Sequence, residues 1–132
     1  MGKKVKGKRG VEDKIKSFTD LTVWQKRHQL TMMIYKVSKT FPKEEKYGLT
    51  SQMRRAAVSV EANIAEGFAK RGMKDKVNYY NIAQGSISEV KCYVILSRDL
   101  GYHNQYDDLW KMAADVSSLL TNLIKSIERR KS

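Results

Sequence analysis

His28 and His103 are the only imidazoles in the chain, and Cys92 is its only thiol. Any acid–base or metal chemistry would have to be built around them. No carboxylate or nucleophile stands at a fixed helical spacing from both histidines, which favours a structural or surface role for each. A metal centre needs more ligands: the chain has no His-Glu-x-x-His and no Glu-x-x-His motif. One cysteine excludes an intramolecular disulfide and a cysteine-based zinc site. Within a helical pattern Cys92 reads as a small apolar filler, which fits a reducing cytoplasm. The adjacent carboxylates Asp107 and Asp108 open a predicted helix, where negative charge suits the helix dipole. The stretch GLTSQMRR at 48–55 lacks the lysine and the spacing of a phosphate-binding loop. The expectation is a protein that is no enzyme and carries no metal and no cofactor. A hydrolase would need a carboxylate-lined cleft that this pattern does not supply.

The charge points elsewhere. Twenty-six Lys plus Arg against fourteen Asp plus Glu leave a formal charge of +12 on 132 residues. Such an excess concerns partners and solubility rather than fold, with nucleic acid the first candidate and an anionic membrane surface the second. The cations fall into clusters: Lys3, Lys4, Lys6, Lys8 and Arg9 near the N-terminus; Lys70, Arg71, Lys74 and Lys76 in mid-chain; Lys125, Arg129, Arg130 and Lys131 at the end. Arg54 and Arg55 make a further adjacent pair. Two readings stand for the polar band of Arg55, Ser59, Asn63 and Glu66, which shares one azimuth of a helix. It is either a contact line at a subunit or ligand surface, or a structural network that sets helix register with Glu89. The structural reading is the favoured one, because bundles use a few buried polar contacts to choose one packing. Tyr79 and Tyr80 could stack on bases, but at helical spacing at least one of them belongs to the core.

The elements that must position these groups follow from the 3.6-residue period. Residues 1–17 are too charged to bury apolar surface and read as a flexible basic tail. Residues 18–132 form one domain. Val23, Leu30, Ile34, Val37 and Phe41 share a narrow arc flanked by Trp24 and Tyr35, predicting a first helix at about 20–40 with Thr19 or Asp20 as N-cap. It ends at Pro42, the only proline. Leu49, Met53, Ala56, Val60 and Ile64 predict a second helix at about 48–68. Tyr79 or Tyr80 with Ala83, Ile87, Val90 and Val94 predicts a third at about 75–100, stopped by Gly101. Gly85-Ser86 in its middle costs about 1 kcal/mol of propensity and suggests close approach of a neighbour. Leu109, Met112, Val116, Leu119, Leu123 and Ile127 alternate threes and fours and predict a fourth at about 104–129. Long helices with short connections give an all-α, antiparallel up-down-up-down four-helix bundle. No apolar run of 18 residues occurs, so no transmembrane span is expected, and no apolar h-region follows the basic N-terminus, so no secretory signal.

The words YGLTSQMRRAAVSV and NIAEG within 47–67, then IAQGSISEV at 82–90, resemble the bacterial 23S rRNA intervening-sequence protein family, also called S23. The resemblance covers about residues 18–125. It implies the four-helix bundle, a ring-like homopentamer with a positive surface, and no reaction. The family commonly carries proline where this chain has Glu61, a departure expected to straighten the second helix. The architecture is also similar to the accessory variability proteins of diversity-generating retroelements, which bind nucleic acid and a reverse transcriptase.

In an up-down bundle the three basic clusters converge at one pole, because the first helix starts, the second and third are joined, and the fourth ends there. The expectation is a cytoplasmic, oligomeric bundle that grips RNA or DNA phosphates through Lys3, Lys4, Lys6, Lys8, Arg9, Arg54, Arg55, Lys70, Arg71, Lys74, Lys76, Lys125, Arg129, Arg130 and Lys131. No helix presents a base-reading set of Asn, Gln and Arg, so backbone rather than sequence is read. The alternative is a protein-interaction scaffold serving a nucleic-acid enzyme such as a reverse transcriptase.

Overall fold

Apolar residues repeating at threes and fours cannot stay solvated along one stripe, and four such stripes close on each other. The computed structural model describes residues 15–131, and within them the order is α1 (Thr22–Ser38), α2 (Leu49–Ala69), α3 (Met73–Asp99) and α4 (Tyr106–Lys131), with single 3-10 turns at Phe18–Asp20 and Lys43–Glu45. Neighbours in sequence pack on each other, and α4 returns against α1. That is the square of an antiparallel four-helix bundle. The N-terminal cations Lys3, Lys4, Lys6, Lys8 and Arg9, and the side chain of Lys131, lie outside the described residues.

The core is the set of stripes the sequence predicts. Val23, Leu30, Ile34, Val37 and Phe41 of the first stripe, all five predicted residues of α2, and Tyr80, Ala83, Ile87, Val90 and Val94 of α3 are buried. Each fully buried Leu, Ile or Val contributes roughly 1.5–3 kcal/mol relative to exposure. Tyr80, not Tyr79, takes the inner position, and Gly67 makes room for it. A Cβ at Gly67 would lie 2.6 Å from Tyr80 Cε1. In α4 the inner line runs through Leu109, Ala113, Val116, Leu120 and Ile127, while Met112, Leu119 and Leu123 pack on its flanks. The heptad reading holds at Leu109, Val116 and Ile127, but it takes Met112 and Leu119 where the helix turns their neighbours Ala113 and Leu120 inward.

The ends differ from expectation in small ways. The N-cap position of α1 is Leu21, which makes no side-chain cap bond, and the 3-10 turn that holds Thr19 and Asp20 is capped by Ser17. Its hydroxyl accepts from Thr19 N–H at 3.1 Å, and the Asp20 carboxylate accepts from Ser17 N–H at 3.2 Å. The box closes a 3-10 turn before α1 begins. Gly101 terminates α3 at φ +79°, with Tyr102 N–H donating to Ser97 O at 2.9 Å, the 6→1 closure that favours glycine there. Gly85 does not admit a neighbour, since nothing lies within 4 Å of its would-be Cβ. Ser86 beside it does face α2. Cys92 is exposed on the outer side of α3 rather than filling the core.

Among the described residues one charged side chain is buried in the core. Arg27 lies on the inner arc of α1 between Val23 and Leu30 and is 0% exposed. Its Nη1 donates to Glu61 Oε1 at 3.0 Å and to Thr31 Oγ1 at 3.3 Å, and its guanidinium sits 4.2 Å from the Trp24 ring centroid. Burial pushes its pKa down, and Glu61 partly opposes that. Thus Glu61 carries the counter-charge for a buried arginine on the adjacent helix. α2 is unbroken across it.

Candidate nucleic-acid interface

Antiparallel packing brings the start of α1, the α2–α3 connection and the end of α4 to one pole. Exposed Arg71 and Lys74 project from the connection and the first turn of α3; exposed Lys125, Arg129 and Arg130 come from the last two turns of α4. Arg130 reaches the first turn of α3, where, after the larger effect of desolvation, it lowers the Lys76 ammonium pKa. It also partly offsets the burial that pushes the Tyr80 phenol up to about 12. Asp75 and Glu128 are interspersed, so the pole is net basic and not uniformly so.

Two cations of this cluster have other work. Lys76 Nζ donates to Phe68 O at 2.9 Å and to Gly67 O at 3.2 Å, which also accepts from Lys70 N–H at 3.3 Å, and so caps the last carbonyls of α2. It is a structural cap rather than a solvent-facing contact. Lys70 lies 3.6 Å from Glu66 and 5.2 Å above the Tyr79 ring. That exposed pair contributes little stability and can be exchanged for a phosphate at small cost. Tyr79 is half-buried beneath it, and Tyr80, at 2% exposure, has no face to offer a base.

Arg54 and Arg55 do not join the pole. α2 starts at the opposite end, and Arg54 is fifteen residues, about 22 Å of helix rise, from Ala69. Arg54 Nε donates to Ser38 Oγ at 2.9 Å, Nη2 donates to Tyr35 O at 3.3 Å, and the guanidinium covers the Tyr35 ring at 4.5 Å. It ties α2 to the end of α1. Arg55 is exposed beside it.

The expected polar network of Arg55, Asn63, Glu66 and Glu89 is not assembled. Asn63 Nδ2 donates to Ser59 O at 2.8 Å, and Ser59 Oγ bonds Ser86 Oγ across the α2–α3 seam at 2.8 Å. Glu66 instead faces Lys70, and exposed Glu89 accepts from Tyr93 OH at 3.3 Å. A shared azimuth put these groups in line, but long charged side chains turn to water while the short hydroxyls meet at the seam. A second polar clamp joins α3 to α4. Gln84 Nε2 donates to Thr121 Oγ1 at 2.8 Å and Ser117 O at 3.0 Å, and Ser117 Oγ donates back to Gln84 Oε1 at 3.0 Å. Sequence reading missed Gln84, although its place beside Ala83 on the inner flank was a signal.

The histidines are held structurally. His28 stacks on Trp24 at 5.3 Å between centroids, and its Nδ1 meets Arg27 Nη2 at 3.3 Å. His103 Nδ1 accepts from Gln105 N–H at 3.0 Å, so the neutral ring carries its proton on Nε2 and donates to Ser97 Oγ at 3.0 Å. A general base would accept from a serine nucleophile; here the direction is reversed, and the buried Ser97 hydroxyl donates to Tyr93 O at 2.6 Å. A cavity of about 830 Å³ beside His103, walled by Met32, Met33 and Val37, lies at the pole opposite the basic cluster. Among the described residues no group of three or more His, Cys, Asp or Glu could hold a metal ion, and no helix is long and apolar enough to cross a membrane.

Fold and surface together define a small all-α four-helix bundle with a basic end. The chain belongs to the 23S rRNA-intervening sequence protein family, whose sequence profile matches residues 19–122. It is similar to a crystal structure from Bacteroides thetaiotaomicron described as a protein with unknown function from the S23 ribosomal protein family. The identity is 25%, the TM-score is 0.72, and the match covers 78% of this chain and 95% of that one. No curated protein shows significant similarity to the chain.

Proposed function

We propose that this protein is a non-enzymatic, homo-oligomeric bundle of the cytoplasm that binds RNA or DNA through phosphate contacts at its basic pole. The observation that carries the reading is the placement of exposed Arg71 and Lys74 at the same end of an antiparallel bundle as exposed Lys125, Arg129 and Arg130, on top of a formal charge of +12. RNA is the favoured class, in keeping with the family to which the chain belongs. Lysine and arginine on helix ends suit phosphate contacts, and no helix presents a base-reading set of Asn, Gln and Arg beside them. Assembly is supported by the outer line of α3, where Ile82 and Leu96 are each 46% exposed on either side of Gly85. The pentamer is the assembly implied by the sequence resemblance.

The test is an anisotropy titration of the full chain against a structured RNA and a duplex DNA at two salt concentrations. The affinity should fall with salt at about 0.9 log units per log unit of salt for each duplex phosphate engaged. Changing Arg71, Lys74, Arg129 and Arg130 to Ala should weaken binding to all sequences alike. The same change should lower the salt slope by roughly one for each phosphate no longer engaged. Absence of binding near physiological salt, or a salt-independent affinity, refutes the reading. A monomer by light scattering removes its oligomeric part.

A further inference from the structure

The pole opposite the basic cluster carries a second set of cations, of which the sequence reading named only Arg54. A cavity of about 420 Å³ opens between the end of α1, the following turn and the first two turns of α2. It is lined by Lys39, Lys43, Lys46 and Arg54, with the hydroxyl-bearing Ser38 and Thr50 between them, and Phe41 and Pro42 give it an apolar floor. No carboxylate lines it. Glu45, beside Lys46 in sequence, is engaged elsewhere: its oxygens accept from Leu49 N–H at 2.9 Å and Tyr102 OH at 2.8 Å.

We propose that this cavity binds a phosphoryl group, supplied either by free polyphosphate or by the 5′-terminal phosphate of a nucleic acid. Three lysines and an arginine around one hollow repel each other, and a multiply charged anion relieves that repulsion while collecting charge-assisted hydrogen bonds. The set is partly preorganised. Arg54 is fixed by Ser38 Oγ at 2.9 Å and Tyr35 O at 3.3 Å through Nε and Nη2, which leaves Nη1 as a donor of settled position. A planar guanidinium already locked in place loses little rotamer entropy when an anion arrives. Lys39, Lys43 and Lys46 are exposed and make no ion pair among the described residues. They supply point charges around that fixed fork, with Lys46 Nζ 5.4 Å from the Tyr47 ring centroid. The four cations come from the end of α1, the turn after Pro42 and α2, so only the tertiary fold gathers them around one hollow.

The experiment follows backbone amide shifts of the full chain during titration with inorganic tripolyphosphate. Saturable shifts should concentrate at residues 38–54, and the Lys43→Ala/Lys46→Ala variant should bind roughly tenfold more weakly, the scale of one charge-assisted hydrogen bond. Those two side chains hold no part of the core, so circular dichroism of the variant should match the parent. The Arg71→Ala/Lys74→Ala/Arg129→Ala/Arg130→Ala variant should bind tripolyphosphate as the parent does, even where it loses RNA. That contrast separates this cavity from the basic-pole reading. Matched RNA oligonucleotides with a 5′-phosphate and a 5′-hydroxyl distinguish the sources. Cavity shifts with the phosphorylated strand alone assign a nucleic-acid end, whereas shifts with tripolyphosphate only assign a free polyphosphate. Shifts confined to residues 70–76 and 125–130, shifts spread over every lysine, or an unchanged affinity for the double variant overturn the proposal.

Discussion

Removing the half-exposed member of the Arg27–Glu61 pair should damage the protein more than removing the buried one. In Glu61→Ala the guanidinium stays in the core at 1% side-chain exposure, but loses the carboxylate 3.0 Å from Nη1. It retains Thr31 Oγ1 at 3.3 Å and the Trp24 face at 4.2 Å, and Nε already has no partner among the described residues. Breaking a buried pair from one side costs about 3–5 kcal/mol. Glu61 is itself 40% exposed, so water can enter where the carboxylate was. The expected loss is therefore about 2–3 kcal/mol, below that range, because the pair is only half dry. For a domain of this size that is a fall in Tm of about 10 °C. Arg27→Met reverses the situation. The methylene stem is kept, the desolvated charge disappears, and Glu61 is left where solvent reaches it. Its expected cost is within about 1 kcal/mol, since apolar replacement of buried ions is often neutral. Urea unfolding followed by circular dichroism gives both values, and the Arg27→Met/Glu61→Ala double variant should recover most of the Glu61→Ala loss. If Arg27→Met proves as harmful as Glu61→Ala, desolvation does not govern this pair and the predicted order of the two variants is refuted.

The two helical glycines should respond oppositely to alanine. Gly67→Ala places a Cβ 2.6 Å from the buried Tyr80 ring, so overpacking of about 1–3 kcal/mol outweighs about 1 kcal/mol of helix propensity and the net effect is loss. Gly85→Ala meets nothing within 4 Å and should gain about 0.5–1 kcal/mol; thermal melts of the two variants moving in the same direction would contradict the packing around Gly67. His103 should make stability fall on mild acidification. Burial, with a smaller contribution from Arg98, lowers its pKa from the ordinary 6.5, so the unfolded chain takes up the proton first. Its contribution is complete above 6.5 and is lost as pH falls through the lower folded value. Glu45 acts in a separate window: the Leu49 N–H and then the Tyr102 hydroxyl hold its pKa below the ordinary 4.5, so its stabilisation is lost only in more acid solution. Urea midpoints above 6.5, between these two values and below 4.5 should show both declines in the parent. In His103→Gln the first decline should vanish and the second remain.

Hydrophobic periodicity was sufficient for the bundle because each stripe has one way to leave water: against the others. Val23, Leu30, Ile34 and Val37, and the α2 stripe from Leu49 to Ile64, could be assigned to the core from spacing alone. So could the glycine stop at Gly101 and the placement of the mid-chain and C-terminal cations at one end, which depend on helix period and connectivity. Side-chain partnerships were not legible in this way. Spacing put Arg55, Asn63, Glu66 and Glu89 in one line, but which polar groups meet depends on how far each reaches and on which helix stands opposite. The fold chose Ser59 with Ser86 and Gln84 with Ser117.

The same limit explains the cations. From the sequence Arg27 is one more positive charge in a basic chain, and Arg54 and Lys76 read as phosphate contacts. The tertiary structure makes Arg27 a buried partner of Glu61, Arg54 a tie to α1, and Lys76 the cap of α2. It also brings Lys39, Lys43 and Lys46 around Arg54. Local sequence determined the helices and their inner faces, since these follow from periodicity along one strand of chain. Packing alone decided which charges are structural and which face solvent, since burial and ion pairing are properties of neighbours far apart in sequence.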